Sequence, residues 1–441
     1  MKTKNKHIQY IVGLVIALIS MIPPMPNILK YLIALVPVLF FGADLTLQYM
    51  EGFFKKNYLN KNLAGIIAGL GMIVTGKLGY AALTMLFFSA SDYYFDMIFT
   101  KASRRIEESS RVTTSFARTG VNGSVSRIPV ASVVPGQQLV VQTGDIIPCD
   151  CVATSGEAVV DYTNLFGKGD ARNAKVGTSC FGGGIVQKGN LTVKVLKPAR
   201  ESMGSVISSA TKKAAKPSRF QRKLNGWATL FERSVYLLSI ILFIIILIVT
   251  KEFATAVSQS VSVLVLSATA GLTKVIPLLN RNALLSGRRR GVLFTDIQAL
   301  EQSGKVQTVS MNETVSEEVM VQIEEVGAIP AQNGNTALDA VVYRDRARLE
   351  SDPNPSFKFA VGFFSSKAQA TTFEPKSEHI VGAIRTGRNH RNALLLNIIC
   401  LAVQKLVTLT LIFWLAINPA TVLVIEFVAW LFCLINSTKE I

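Results

Sequence analysis

Eight apolar runs, most near the roughly twenty residues that a helix needs to cross a bilayer, constrain this chain more than any other feature. They occupy residues 8–25, 29–47, 63–76, 78–100, 235–250, 254–279, 394–415 and 421–435. The third and fourth are separated only by Gly76 and Lys77 and read as a tight helical hairpin. Lys2, Lys4 and Lys6 ahead of the first run imitate a secretory signal, but no small-residue cleavage site precedes the second run, so a retained anchor is expected. The expected fold is therefore a polytopic α-helical membrane protein of about eight transmembrane helices. Two long polar segments interrupt it, dividing the chain into 1–100 (four helices), 101–233 (a β-rich domain), 234–280 (two helices), 281–391 (a stalk and a small α/β domain) and 392–441 (two helices).

Composition agrees: 49% of the 441 residues are hydrophobic and 17% charged, outside the ordinary soluble range. The formal charge of +17, from 46 Lys+Arg against 29 Asp+Glu, lacks the aromatic interleaving that stacks bases, which excludes nucleic acid as a partner and leaves the lipid bilayer. Lys55, Lys56, Lys61, Lys101, Arg104, Arg105, Arg281, Arg288 to Arg290, Arg385, Arg388 and Arg391 all flank one side of the runs; the other side carries little beyond Lys77, Lys251 and Glu252. The positive-inside rule then predicts a multi-pass protein of the cell membrane with both termini and both long loops cytoplasmic.

The first loop contains Pro135-Gly136, Gly144-Asp145-Ile146-Ile147-Pro148-Cys149-Asp150 and Ser155-Gly156-Glu157-Ala158-Val159-Val160-Asp161. These motifs closely resemble the actuator domain of P-type ATPases. The stretch after the sixth run, Gly287 to Leu293, then Ala299-Leu300-Glu301 and Gly304-Lys305-Val306-Gln307-Thr308-Val309, resembles the stalk leading into the phosphorylation strand of that family. Two helices ahead of the usual six resemble its heavy-metal branch, the zinc, cadmium and lead pumps in particular.

The resemblance implies an Asp-Lys-Thr-Gly-Thr motif after that strand, whose aspartate takes phosphate from ATP. This chain reads Asn312-Glu313-Thr314-Val315-Ser316. An amide oxygen is a poor nucleophile, and Glu313 sets a negative charge where a lysine would face phosphate. The actuator's Thr-Gly-Glu is replaced by Phe166-Gly167-Lys168, and a protonated lysine cannot orient water as a general base. The metal-gripping Cys-Pro-Cys of the sixth span is replaced by Ala268-Thr269-Ala270, which has no thiolate for a soft metal. Lys405 and Glu426 fall where the zinc, cadmium and lead pumps place an intramembrane lysine and an acidic residue, and they are expected to form an ion pair there. No Gly-Asp-Gly-x-Asn-Asp magnesium motif occurs between 313 and 391, so a collapsed phosphorylation-domain remnant is expected, with no cofactor.

Three lesser features carry no site. Gly71 to Lys77 matches the start of a phosphate-binding loop, but Leu78 replaces the required Ser or Thr and the segment is apolar. Cys149 and Cys151 form a C-x-C pair that could hold a soft metal but is more often incidental, and His7, His379 and His390 are far apart. The expected function is a catalytically inactive, P-type-ATPase-like membrane protein that acts as a binding, scaffold or regulatory partner of an authentic P-type ATPase or another membrane protein. The alternative is a divergent heavy-metal or other cation transporter, passive or driven by a separate ATP-handling subunit.

Overall fold

Helix ends decide how much of each apolar run can cross a membrane, and in this chain several ends fall early. The computed structural model describes residues 2–22, 26–54, 57–109, 113–121, 124–167, 171–214, 216–268, 273–311, 317–331, 339–353, 357–363, 365, 367–372 and 377–439. The chain begins with helices α1 (Lys2–Ile19), α2 (Asn27–Phe54), α3 (Lys61–Val74) and α4 (Leu78–Ser109). The β-rich segment follows, with β1 (Phe116–Val121), β2 (Ser124–Pro129), β3 (Gln138–Gln142), β4 (Cys151–Asp161), α5 (Thr163–Phe166), β5 (Ala171–Ala174), β6 (Ser179–Cys180), β7 (Ile185–Val195) and α6 (Met203–Ala214). Next come α7 (Arg219–Thr250), α8 (Phe253–Val265), α9 (Val275–Arg289), β8 (Leu293–Phe294), α10 (Ile297–Ser303), β9 (Thr308–Met311), α11 (Glu317–Glu325), β10 (Ile329–Ala331) and β11 (Asp339–Tyr343). The last elements are α12 (Arg346–Ser351), β12 (Phe357–Val361), β13 (Ala370–Thr372), α13 (Ser377–Leu415) and α14 (Pro419–Thr438).

The expectation of about eight spans is corrected here. Among the described residues, four helices are long and apolar enough to cross a membrane: α2, α7, α13 from Glu378, and α14. The apolar part of α1 covers only Lys6–Ile19, α3 only Lys61–Val74 and α8 only Phe253–Val265. At 1.5 Å per residue, helices of this length reach about 20 Å against a hydrocarbon core of about 30 Å. The reasons are local. Asn60 caps α3 just ahead of its apolar run by accepting the backbone N–H of Asn62 and Leu63 on its side chain, and that run is itself short; α8 gives way to a turn at Leu266 and Ser267. Helix α4 is long enough, but Tyr80, Ser89, Ser91, Tyr93, Tyr94 and Asp96 dilute its apolarity.

Residues 1–100, 220–278 and 394–439 form one compact unit. Its packing depends on small residues, as expected where lipid supplies no hydrophobic drive between helices. Gly65 and Gly69, one turn apart on α3, lie so close to Phe88 and Met85 of α4 that a Cβ would come within 2.8 Å and 2.2 Å of those side chains. A polar knot ties α1, α2 and α4. Asp44 accepts from Tyr10 Oη at 2.9 Å, from Gln48 Nε2 at 2.9 Å and from Ser89 Oγ, and Lys6 Nζ lies 3.4 Å away.

Residues 101–219 and 279–393 belong to the second unit. Its first part is an antiparallel sheet in the order β3-β7-β4-β5, with β6 also on β4 and a β1-β2 hairpin beside it. Alternate residues fill the core, Leu139 and Val141 on β3 and Leu191, Val193 and Val195 on β7, the period-two pattern of a sheet with one face covered. Asp150 staples this core. Its Oδ1 accepts the backbone N–H of Gly182 at 2.9 Å and of Met203 at 3.0 Å, fixing the start of α6 against the sheet.

The second part is a six-stranded sheet in the order β10-β9-β11-β12-β13-β8, parallel except for the edge pairing of β13 with β8. Every residue of β12 is buried, as in parallel sheets covered on both faces. The chain leaves β9, pairs first on one side as β10 and then on the other as β11. The strand order therefore reverses at β9, which makes its carboxyl end the switch point where open α/β sheets hold their ligands.

Candidate functional site

Three places drew attention in the sequence, and the fold sets each in a defined position. The first is the carboxyl end of β9. The strand's last residue is Met311; Asn312, Glu313 and Thr314, next in the sequence, lie outside the described residues.

The second is the turn after α5. Phe166 is buried among Tyr162 and Phe181, with ring centroids at 5.8 Å and 5.3 Å, and the guanidinium of Arg172 sits 5.3 Å from its ring centre. A phenylalanine here packs inward. Gly167 has a φ of 106°, and a Cβ on it would fall 2.8 Å from the backbone nitrogen of Gly291, itself at a φ of 75°. Two glycine backbones thus meet face to face, and Arg288 secures the contact from α9 by donating from Nη2 to the Asn164 carbonyl at 2.6 Å. Burial pulls the Arg288 guanidinium down to about 10, because desolvation disfavours the charged form. Below it, His379 Nδ1 and Thr372 Oγ1 share a hydrogen bond of 2.6 Å. Lys168 lies outside the described residues. Gly167→Ala is expected to cost on the order of 1–3 kcal/mol, since it adds both a strained φ and a backbone collision. Thermal melting reads the loss, and hydrogen exchange at 163–167 should accelerate; unchanged exchange there would argue against the contact.

The third is the helix break in the membrane unit. Helix α8 ends at Val265, and the carbonyls of Leu266 and Ala268 are taken up by one side chain, Lys405, whose Nζ donates to them at 2.9 Å and 3.3 Å. The same ammonium lies 2.6 Å from Glu426 Oε1, a carboxylate only 4% exposed. Gln404 Nε2 donates to that oxygen at 2.9 Å. All three ammonium protons have acceptors, which is the condition for keeping a charge out of water. Ser267 Oγ is buried beside the break with no hydrogen-bond partner among the described residues. Thr269 and Ala270 lie outside the described residues.

Sequence reasoning paired Lys405 with Glu426 but missed the two carbonyls and Gln404. The clue available was Pro277 and Gly271 around a helix that had to break, since freed carbonyls in a membrane need a donor. It also missed Asp44, an acid inside an apolar run. In the β-rich domain Cys149, Cys151 and Cys180 are buried free thiols, and Cys151 sits opposite Cys180 across the β4-β6 pair. The neighbouring Cys151 and Tyr162 side chains pull the Cys180 thiol down against the opposing effect of burial, while the Cys151 thiol is pushed up. Among the described residues, no three His, Cys, Asp or Glu side chains converge as a metal site.

Comparison with known proteins gives this arrangement a lineage. Residues 111–212 match the P-type ATPase actuator domain family. That segment is similar to P-type ATPase actuator domains. Around it, the chain is 28% identical over 214 residues to copper-exporting P-type ATPase B of Archaeoglobus fulgidus, a match covering 48% of this chain and 31% of that protein. It is 24% identical over 297 residues to a zinc-transporting ATPase of Bacillus subtilis (65% and 46%) and 21% identical over 342 residues to a cadmium, zinc and cobalt-transporting ATPase of Helicobacter pylori (76% and 49%). The chain thus spans a third to a half of the length of these curated relatives. In fold it is similar to a zinc-transporting PIB-type ATPase crystallised in the E2.Pi state, with a TM-score of 0.50 at 13% identity over 99% of each chain. The chain is thus a multi-pass membrane protein with an actuator-like domain, similar in sequence to heavy-metal P-type ATPases.

Proposed function

We propose that this chain is a catalytically silent relative of the heavy-metal pumps: it has lost the phosphoenzyme, keeps the actuator and the membrane unit, and works by binding another membrane protein. One observation carries the reading. In the sequence Asn312 comes next after β9, where the resemblance calls for a carboxylate. The turn after α5 supports it, because Phe166 is spent on the actuator core and Lys168 follows Gly167 in place of an acid. An authentic heavy-metal P-type ATPase in the same membrane is the partner proposed. Purified chain in proteoliposomes is expected to release no phosphate from ATP above empty vesicles, whether Zn2+, Cd2+ or Cu+ is supplied. Metal-stimulated release would refute the reading.

The second reading is a divergent cation transporter, and two observations favour it. The relatives are named as transporters, and Lys405 fills with its ammonium a seat made of Glu426 and two freed carbonyls, donors that also suit a mobile cation. Under this reading, ion flux into vesicles falls with Glu426→Gln. Flux equal to empty vesicles in both proteins removes it.

A further inference from the structure

Helix α7 is led in by a basic stretch free of acids. Residues 212–223 hold six Lys or Arg (Lys212, Lys213, Lys216, Arg219, Arg222 and Lys223), and no Asp or Glu occurs from Ser202 to Phe231. Other basic flanks are spent or diluted. Arg288 and Arg290 donate to Asn164 and Thr386, and Glu107 and Glu108 follow Lys101, Arg104 and Arg105. The length of α7 brings its own charge to lipid. Its 32 residues extend about 48 Å against a hydrocarbon core of about 30 Å, so roughly a third of the helix stands in or above the headgroup layer. That third is the amino end, because the carboxyl end stays apolar through Val249.

The faces of the helix are sorted accordingly. Gln221, Leu224, Ala228, Glu232 and Val235 form the buried stripe. On the opposite side, in helical register, Lys223, Trp227, Leu230, Leu237 and Ile241 are exposed, Trp227 to 74%. Cation, indole and aliphatic chain follow one another in the order of headgroup, interface and hydrocarbon. Lys223 stands one turn, about 6 Å, above Trp227, within reach of the phosphate layer on its long stem. Arg222 is exposed beside it, and neither has an acidic partner among the described residues.

We propose that Arg222, Lys223 and Trp227 form a binding surface for an anionic phospholipid, the two cations holding its headgroup and the indole lying at the acyl boundary. Basic clusters beside a membrane-crossing helix attract such lipids. A zwitterionic lipid brings the same phosphate together with an ammonium that clustered cations repel, so the surface selects the anionic one.

The test reconstitutes the full chain in phosphatidylcholine vesicles containing a minor fraction of phosphatidylglycerol, with the same fraction of brominated chains carried by one lipid or the other. Bromine quenches tryptophan on contact, and the difference between wild type and Trp227→Phe isolates Trp227 from Trp414 and Trp430. Trp227 should report a preference for the anionic lipid on the order of fivefold, the factor that one cation near a membrane surface contributes. Arg222→Gln/Lys223→Gln should remove most of that preference, Arg222→Lys should keep it, and added salt should weaken it. Equal quenching by the two lipids overturns the proposal and leaves the basic stretch to an acidic protein surface. A preference unchanged in Arg222→Gln/Lys223→Gln overturns it too. No step uses ATP or flux, so the outcome is independent of whether the chain turns over.

Discussion

Glu426→Leu should destabilise the membrane unit by on the order of 3–5 kcal/mol, the range measured when one partner of a buried ion pair is removed. The cost comes from Lys405. Its ammonium, 15% exposed, keeps the Leu266 and Ala268 carbonyls but loses its counter-charge at 2.6 Å. The double variant Lys405→Met/Glu426→Leu should recover part of that loss, because no uncompensated charge remains. It should not recover all of it, since the two carbonyls then lack their donor, at about 1–3 kcal/mol for each group left unsatisfied. Thermal melting in detergent would order the three proteins as wild type, double variant, single variant. A double variant as unstable as the single one would show that the pair does not carry the effect.

Asp150→Ala is the second large expectation, and it acts in the other unit. The Asp150 carboxylate accepts two backbone N–H groups, from Gly182 and Met203. Hydrogen bonds to a charged group contribute roughly 1.5–3 kcal/mol each, so the alanine variant should lose about 3 kcal/mol or more and loosen α6 from the actuator sheet. Asparagine keeps an oxygen at Oδ1 and should cost less than half as much. The measurement is chemical denaturation with hydrogen exchange at 203–210, and equal losses for Ala and Asn would contradict the hydrogen-bond account.

Asp150 also shows what kind of information was legible. It lies in the run Gly144 to Asp150, whose resemblance to an actuator was clear because turn glycines and a stapling acid leave a local pattern. The parallel sheet around β9 was legible only as a small domain, because its order depends on pairings distant in sequence. The number of spans was misread for a comparable reason. Apolar length counts residues, whereas a crossing helix needs unbroken hydrogen bonding from end to end, and the turn at Leu266 and Ser267 interrupts it in the sixth run. At the sites, Lys405 and Glu426 could be paired because charges in apolar runs are conspicuous. The carbonyls that share Lys405, the glycine contact of Gly167 with Gly291 and the reach of Arg288 to Asn164 leave no trace in composition. They are backbone groups, identical in every residue until the chain is folded.

Phosphoenzyme labelling tests the central claim most directly. Purified chain incubated with Mg2+ and ATP labelled on the γ-phosphate, with and without Zn2+, Cd2+ or Cu+, then quenched in acid, should carry no hydroxylamine-labile label above a heat-denatured control. Label that is acid-stable, removed by hydroxylamine and present in proportion to the protein would mean that a carboxylate in this chain accepts phosphate, and the chain would then be a working pump.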